Sequence, residues 1–197
     1  MKKKSGCLFP ILIVIIACAI LFSPSSDDKD TAPENGSESN TSASVSNVEP
    51  TLTPEEMKES ASTADRSIYL SLKNSKVYFN NLSDMLDKGT HSDLELYAYC
   101  EEIEKYTRSF SDHLTEINDD AAKDYKIAVR DAIGNITLIA TDTKQYLDDE
   151  KMEHLRNIQD GIGLMPAYEE NVTQARTAYL KQAGFSDEEI ATRLSEE

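Results

Sequence analysis

From Pro54 onward, apolar residues recur at intervals of three and four with polar residues between them, the period of a helix that buries one face. The first run carries Met57, Ala61, Ala64, Ile68, Leu72, Ser75, Phe79, Leu82 and Leu86. Thr53 and Glu56 form a capping-box pattern around Pro54, which suits the first helical position, and Gly89 ends the run. Ser92 and Glu95 repeat the box ahead of a second stripe: Leu96, Tyr99, Ile103, Tyr106, Phe110, Leu114 and Ile117. Asn118-Asp119-Asp120 stop it. A third stripe follows through Tyr125, Val129, Ala132, Ile133, Ile136, Ile139, Ala140, Thr143 and Leu147. Gly134 inside this run implies close backbone approach to a neighbouring helix, since glycine in a helix costs about 1 kcal/mol against alanine.

Asp148-Asp149-Glu150 favour a fourth helix start, with Met152, Leu155, Ile158 and Ile162 on its apolar face. The Gly161-Ile-Gly163-Leu-Met-Pro166 segment should break or kink it. A further run through Tyr168, Val172, Ala175 and Tyr179 ends at Gly184, a suitable residue just past a helix. Ser186 and Glu189 then cap a last short helix bearing Ile190 and Leu194. The expected fold is all-α: an antiparallel bundle of about four long helices with a short C-terminal helix. Phe185 and Leu194 should fold back onto the open end of the bundle.

The pattern ahead of Pro54 differs. Lys2, Lys3 and Lys4 precede an apolar stretch from Cys7 to Phe22, the charge-then-apolar order of an export signal. Three outcomes are open for residues 1–22: a retained signal anchor with the lysines inside, a lipid-modified Cys18, or cleavage and release. Ile15-Ile16-Ala17-Cys18 resembles a bacterial lipobox, although Ala19 to Phe22 stay apolar where lipoproteins usually turn polar. An N-terminal apolar helix is thus expected, and each outcome puts the remainder outside the cytoplasm, at the cell membrane. Residues 23–53 are rich in Ser, Thr, Asn, Asp, Glu and Pro, with six acids against Lys29. Such a segment buries too little to order itself and should be a disordered linker with a reach of about 30 Å. The bundle domain would occupy residues 54–197.

Composition narrows function. The chain has 36 acidic and 20 basic residues and a net charge of −16; without Lys2–Lys4, 17 basic residues face the 36 acids. A body this acidic repels phosphate, so no nucleic acid is expected as a partner. Of three cysteines, Cys7 and Cys18 lie in the apolar segment, leaving Cys100 as an apolar filler. A bundle invites a di-iron site, but the residues three before the histidines are Lys88, Phe110 and Lys151, none acidic. Glu150 and His154 share a helical face four apart, a spacing common by chance in so acidic a chain, and the histidines read as solvated. Glu101–Lys105 and Glu104–Arg108 read as ordinary exposed pairs. No nucleophile elbow, phosphate loop or zinc-protease run is present. No metal, cofactor or catalytic activity is expected.

Nine tyrosines and no tryptophan are the compositional oddity. Tyr99 and Tyr106 fall on the core stripe, whereas Tyr69, Tyr78 and Tyr97 lie beside it and, with Phe185 on the tail, are the candidate partner contacts. The expectation is a membrane-tethered, extracytoplasmic bundle that binds a protein partner at the bacterial envelope. The alternative is a sensor holding a small ligand or metal near Gly134 or the Gly161–Pro166 segment.

Overall fold

The computed structural model describes residues 53–195, and there the chain is all-α. The helices are α1 (Pro54–Lys88), α2 (Asp93–Glu116), α3 (Lys123–Asp149), α4 (Met152–Gln182) and α5 (Asp187–Ser195). The expected apolar helix at residues 1–22, with Cys18, and the linker up to residue 52 lie outside the described residues.

Local chemistry explains most helix ends. Thr53 Oγ1 accepts the Glu56 N–H, and the Thr53 N–H donates to the Glu56 carboxylate at 2.8 Å. Ser92 and Glu95 repeat this at α2. Each box holds its glutamate below the ordinary carboxylate range, because backbone and hydroxyl donors favour the ionised form. Gly89 leaves α1 in the left-handed region, φ 54°. At the end of α4 the Gly184 N–H reaches Lys181 O and the Phe185 N–H reaches Leu180 O, closing a Schellman motif around a glycine at φ 87°.

The four long helices run antiparallel-style through turns of two to six residues. The α3 helix packs most extensively on α4, then on α2. The α1 and α3 helices meet across the centre, α2 and α4 do not meet, and α1 approaches α4 least closely of the contacting pairs. The cross-section is therefore a rhombus with α1 and α3 on its short diagonal. Side chains close the wider α1–α4 seam. Lys76 pairs with Glu169 at 2.8 Å. Deeper in, Arg176 donates to both oxygens of buried Asp65, at 2.7 and 3.1 Å.

The core divides in two. One cluster, nearer the α1–α2 and α3–α4 turns, holds Leu82, Leu86, Cys100, Ile103, Ile136, Ile139, Leu155 and Ile158 among others. The second holds Ile68, Leu72, Leu114, Tyr125, Val129, Ile133, Val172 and Leu180, with Ile190 of α5. Between them is a waist of small and polar residues. Ser71 and Ser75 donate to their own helix, Thr137 donates to Thr107 at 2.8 Å, and Asn135 donates to the Gly161 carbonyl at 2.8 Å. These bonds satisfy groups that would otherwise cost free energy in a dry interior.

Several expectations need correction. The Gly161–Pro166 segment does not end a helix: α4 runs unbroken through it. Pro166 cannot donate to the carbonyl four residues earlier, but packing outweighs that loss. Gly161 and Met165 are buried against α3, and a Cβ on Gly161 would lie 2.8 Å from Ile139 Cγ1. Gly161 thus makes the close approach expected of Gly134, where an added Cβ would meet nothing within 4 Å beyond its own stretch of helix. Met57 and Met152, placed on apolar faces, are exposed near helix starts. Tyr146 rather than Leu147 is buried at the end of the α3 stripe.

Candidate functional site

The most extensive group of side-chain rings lies along the outer seam between α1 and α2. Tyr99, Tyr106 and Phe110 are seven and four residues apart on α2, which puts them on one face at the edge of its buried stripe. Tyr78 reaches across from α1. Its ring stacks on Tyr106 at 5.0 Å between centroids and lies 6.2 Å from Tyr99 and 6.5 Å from Phe110. Tyr106 and Phe110 are 6.5 Å apart. The Tyr99 hydroxyl donates to the Tyr78 carbonyl at 3.4 Å, which ties the two helices together.

The rings are partly wet. Tyr106 is 36% exposed, while Tyr78, Tyr99 and Phe110 are half-buried. On the outer face of α1, Leu70 and Val77 stand seven residues apart and exposed. Burial pushes the Tyr78 phenol up, helped by Tyr106 and the charge of Glu102; burial likewise raises Tyr99. Both phenols therefore stay neutral at physiological pH and offer an apolar ring with a hydroxyl donor. That combination suits a protein contact. The rings are anchored on two capped helices, so little ordering cost would accompany binding.

The three sequence-nominated tyrosines point into three different seams. Tyr78 is in the ring row. Tyr69 faces α4, with the Arg176 guanidinium 4.4 Å and Lys73 Nζ 5.8 Å from its ring. Tyr97 faces α3, with Lys144 Nζ 5.1 Å away. Phe185 is half-buried against the second core cluster, as is Leu194. Lys58 Nζ and the Arg193 guanidinium lie 5.3 and 4.6 Å from the Phe185 ring. The tail folds onto the bundle end, and Arg193 also donates to Ser62.

Phe110 on the α2 stripe packs partly buried against the second core cluster, whereas Tyr106 on the same stripe is exposed at the seam. Leu96, Cys100, Ile103, Thr107 and Leu114 form the buried line, and the rings sit to one side of it. Glu104 is corrected too. It leaves Arg108 and accepts from Thr141 at 2.8 Å and Lys144 at 2.9 Å on α3, and the Glu104 bond raises the Lys144 pKa. Cys100 is fully buried, and burial pushes its thiol up to about 12. His154, expected to be solvated, is largely buried beside Asp142. Among the described residues, no group of three or more His, Cys, Asp or Glu is placed to hold a metal ion. The same residues contain no helix long and apolar enough to cross a membrane.

The ring row and the closed bundle behind it define a helical scaffold with a partly open aromatic face. No protein-family model matches the chain, and no curated protein or solved structure matches it.

Proposed function

We propose that this protein is a membrane-tethered, extracytoplasmic helical bundle that acts as a binding module at the bacterial cell envelope, with the α1–α2 aromatic seam as its contact face. The seam carries the reading: stacked rings, half-open to water, are presented on capped helices. The Lys2–Lys4 start, the apolar run to Phe22 and the acidic linker at residues 23–53 support an anchored body held away from the membrane. The linker joins the bundle at Thr53, the end where α5 docks. The seam then runs along the side of the rod, open to a neighbouring envelope protein.

Photo-cross-linking in cells producing the full chain tests this. A photoreactive residue at Tyr106, in the ring row, should give a discrete protein adduct, and one at Leu138, exposed on α3, should not. Adducts of equal yield from both positions, or from Leu138 alone, would refute the contact face.

A further inference from the structure

We propose that His154 is a pH-responsive clip on the α3–α4 turn, closed when its imidazole carries both ring protons and opened when it loses one. The histidine lies in the first turn of α4. Its Nδ1 is 3.0 Å from Asp142 Oδ1, and its Nε2 is 3.5 Å from Asp149 Oδ1. Asp142 and Asp149 are seven residues apart on one face of α3, so the ring is held between carboxylates from successive pairs of turns. An ionised carboxylate only accepts hydrogen bonds, and a neutral imidazole has a single N–H. Only the imidazolium donates on both sides.

Asp142 and His154 side chains are each only 15% exposed. The hydrogen bond that Asp142 accepts leads in raising the His154 pKa above its ordinary 6.5, and the charges of Asp149 and Asp142 add to it. Asn157 Nδ2 donates to the same Asp142 oxygen at 3.0 Å. On the other side Lys151 holds Asp149, through Nζ at 2.7 Å and its backbone N–H at 3.0 Å. Glu153, on α4, acts on Lys151. The α2 helix does not meet α4, and the α1 ion pairs with α4, Lys76–Glu169 and Asp65–Arg176, lie further along that helix.

The joint gives the clip something to hold. Only Glu150 and Lys151 separate the two helices, and Glu150 sits at φ 55°, left-handed without being glycine. That conformation persists where its surroundings enforce it. When His154 loses a proton, one nitrogen turns a lone pair toward a carboxylate, and that side of the clip becomes repulsive. The sign follows from the raised pKa: closure is complete below 6.5 and is lost as pH rises through the folded value. The turn should therefore be tight in acid and loosen once pH has risen past the raised His154 value, whatever binds elsewhere on the bundle.

Hydrogen exchange on the full chain between pH 5.5 and 8.5, corrected for intrinsic rates, reads this directly alongside an NMR titration of the His154 ring. Protection of the turn at residues 148–155 should fall by at least roughly threefold across the His154 midpoint, with α1 amides unchanged. The midpoint should exceed 6.5, and His154→Gln should abolish the pH dependence. If His154→Gln does not fold, Asp149→Asn serves: it should lower the midpoint. A midpoint at or below 6.5, an unchanged midpoint in Asp149→Asn, or the same pH dependence in His154→Gln would overturn the proposal.

Discussion

Asp65→Ala should be among the most damaging single substitutions in the bundle, although it removes a charged residue from a helix. Asp65 is 1% exposed and Arg176 is 4% exposed, so the pair across the α1–α4 seam is almost fully desolvated. Removing one partner of such a pair typically costs 3–5 kcal/mol, because the other is left in a poorly solvating site. Arg176 would retain the Tyr69 ring at 4.4 Å, worth about 0.5–2 kcal/mol, which places Asp65→Ala near the lower bound, about 3 kcal/mol. Arg176→Met leaves Asp65 with Arg193, whose Nη1 is 3.6 Å away on a side chain 29% exposed. That residual cation should soften the loss to about 2 kcal/mol, and Arg193→Met alone should cost under about 1 kcal/mol. Asp65→Leu with Arg176→Met should recover to within about 1 kcal/mol of the parent, since well-packed apolar residues often replace a buried ion pair without loss. Urea unfolding at pH 7, followed by far-ultraviolet circular dichroism, gives all four values, and Asp65→Leu alone closes the cycle that yields the coupling energy. An Asp65→Ala cost below about 1 kcal/mol, or a double variant as unstable as the two single losses combined, would refute the reasoning.

Three helical glycines separate by surroundings. Gly134→Ala and Gly163→Ala meet nothing within 4 Å and should each stabilise by about 0.5–1 kcal/mol in thermal unfolding. Gly161→Ala meets Ile139 at 2.8 Å and should destabilise by about 1–3 kcal/mol. The Cys100 thiol, fully buried and raised to about 12, should resist a thiol-specific disulfide reagent in the native protein and react on unfolding in urea. Intact mass after expression in a bacterial host should show loss of residues 1–17 with a diacylglyceryl adduct abolished by Cys18→Ser if that cysteine is lipidated. Full-length mass in the membrane fraction, unchanged by Cys18→Ser, would instead mark a retained anchor.

Signals carried by neighbouring residues were legible in the sequence; those carried by a distant neighbour were not. The caps at Thr53–Glu56 and Ser92–Glu95 and the stops at Gly89 and Gly184 depend on a side chain or glycine acting on backbone a few residues away, and each is present. The Gly161–Pro166 segment carries the local signs of a break, but whether a helix survives there depends on α3, where Ile139 and Asn135 receive Gly161. Which glycine makes a close approach was unreadable for the same reason. Asp65 left a trace: with Ala61, Ile68 and Leu72 it falls on one helical face, an acid in an apolar line. Its partner lies 111 positions away, beyond what periodicity can pair. At the candidate site, Tyr78 was visible as an off-stripe ring. Tyr106 was not, because a stripe assigned by spacing does not distinguish the centre of a buried face from its edge.

Hydroxyl-radical footprinting of the full chain, in membranes of the cells that produce it and after purification in detergent, tests the contact face most directly. Oxidation of Tyr106, Tyr78 and Phe110 in the ring row should be lower in the native membranes, while exposed Leu138 and Leu164 on α3 and α4 should be oxidised equally in both. Equal oxidation at the seam in the two preparations, or protection confined to Leu138 and Leu164, would contradict it.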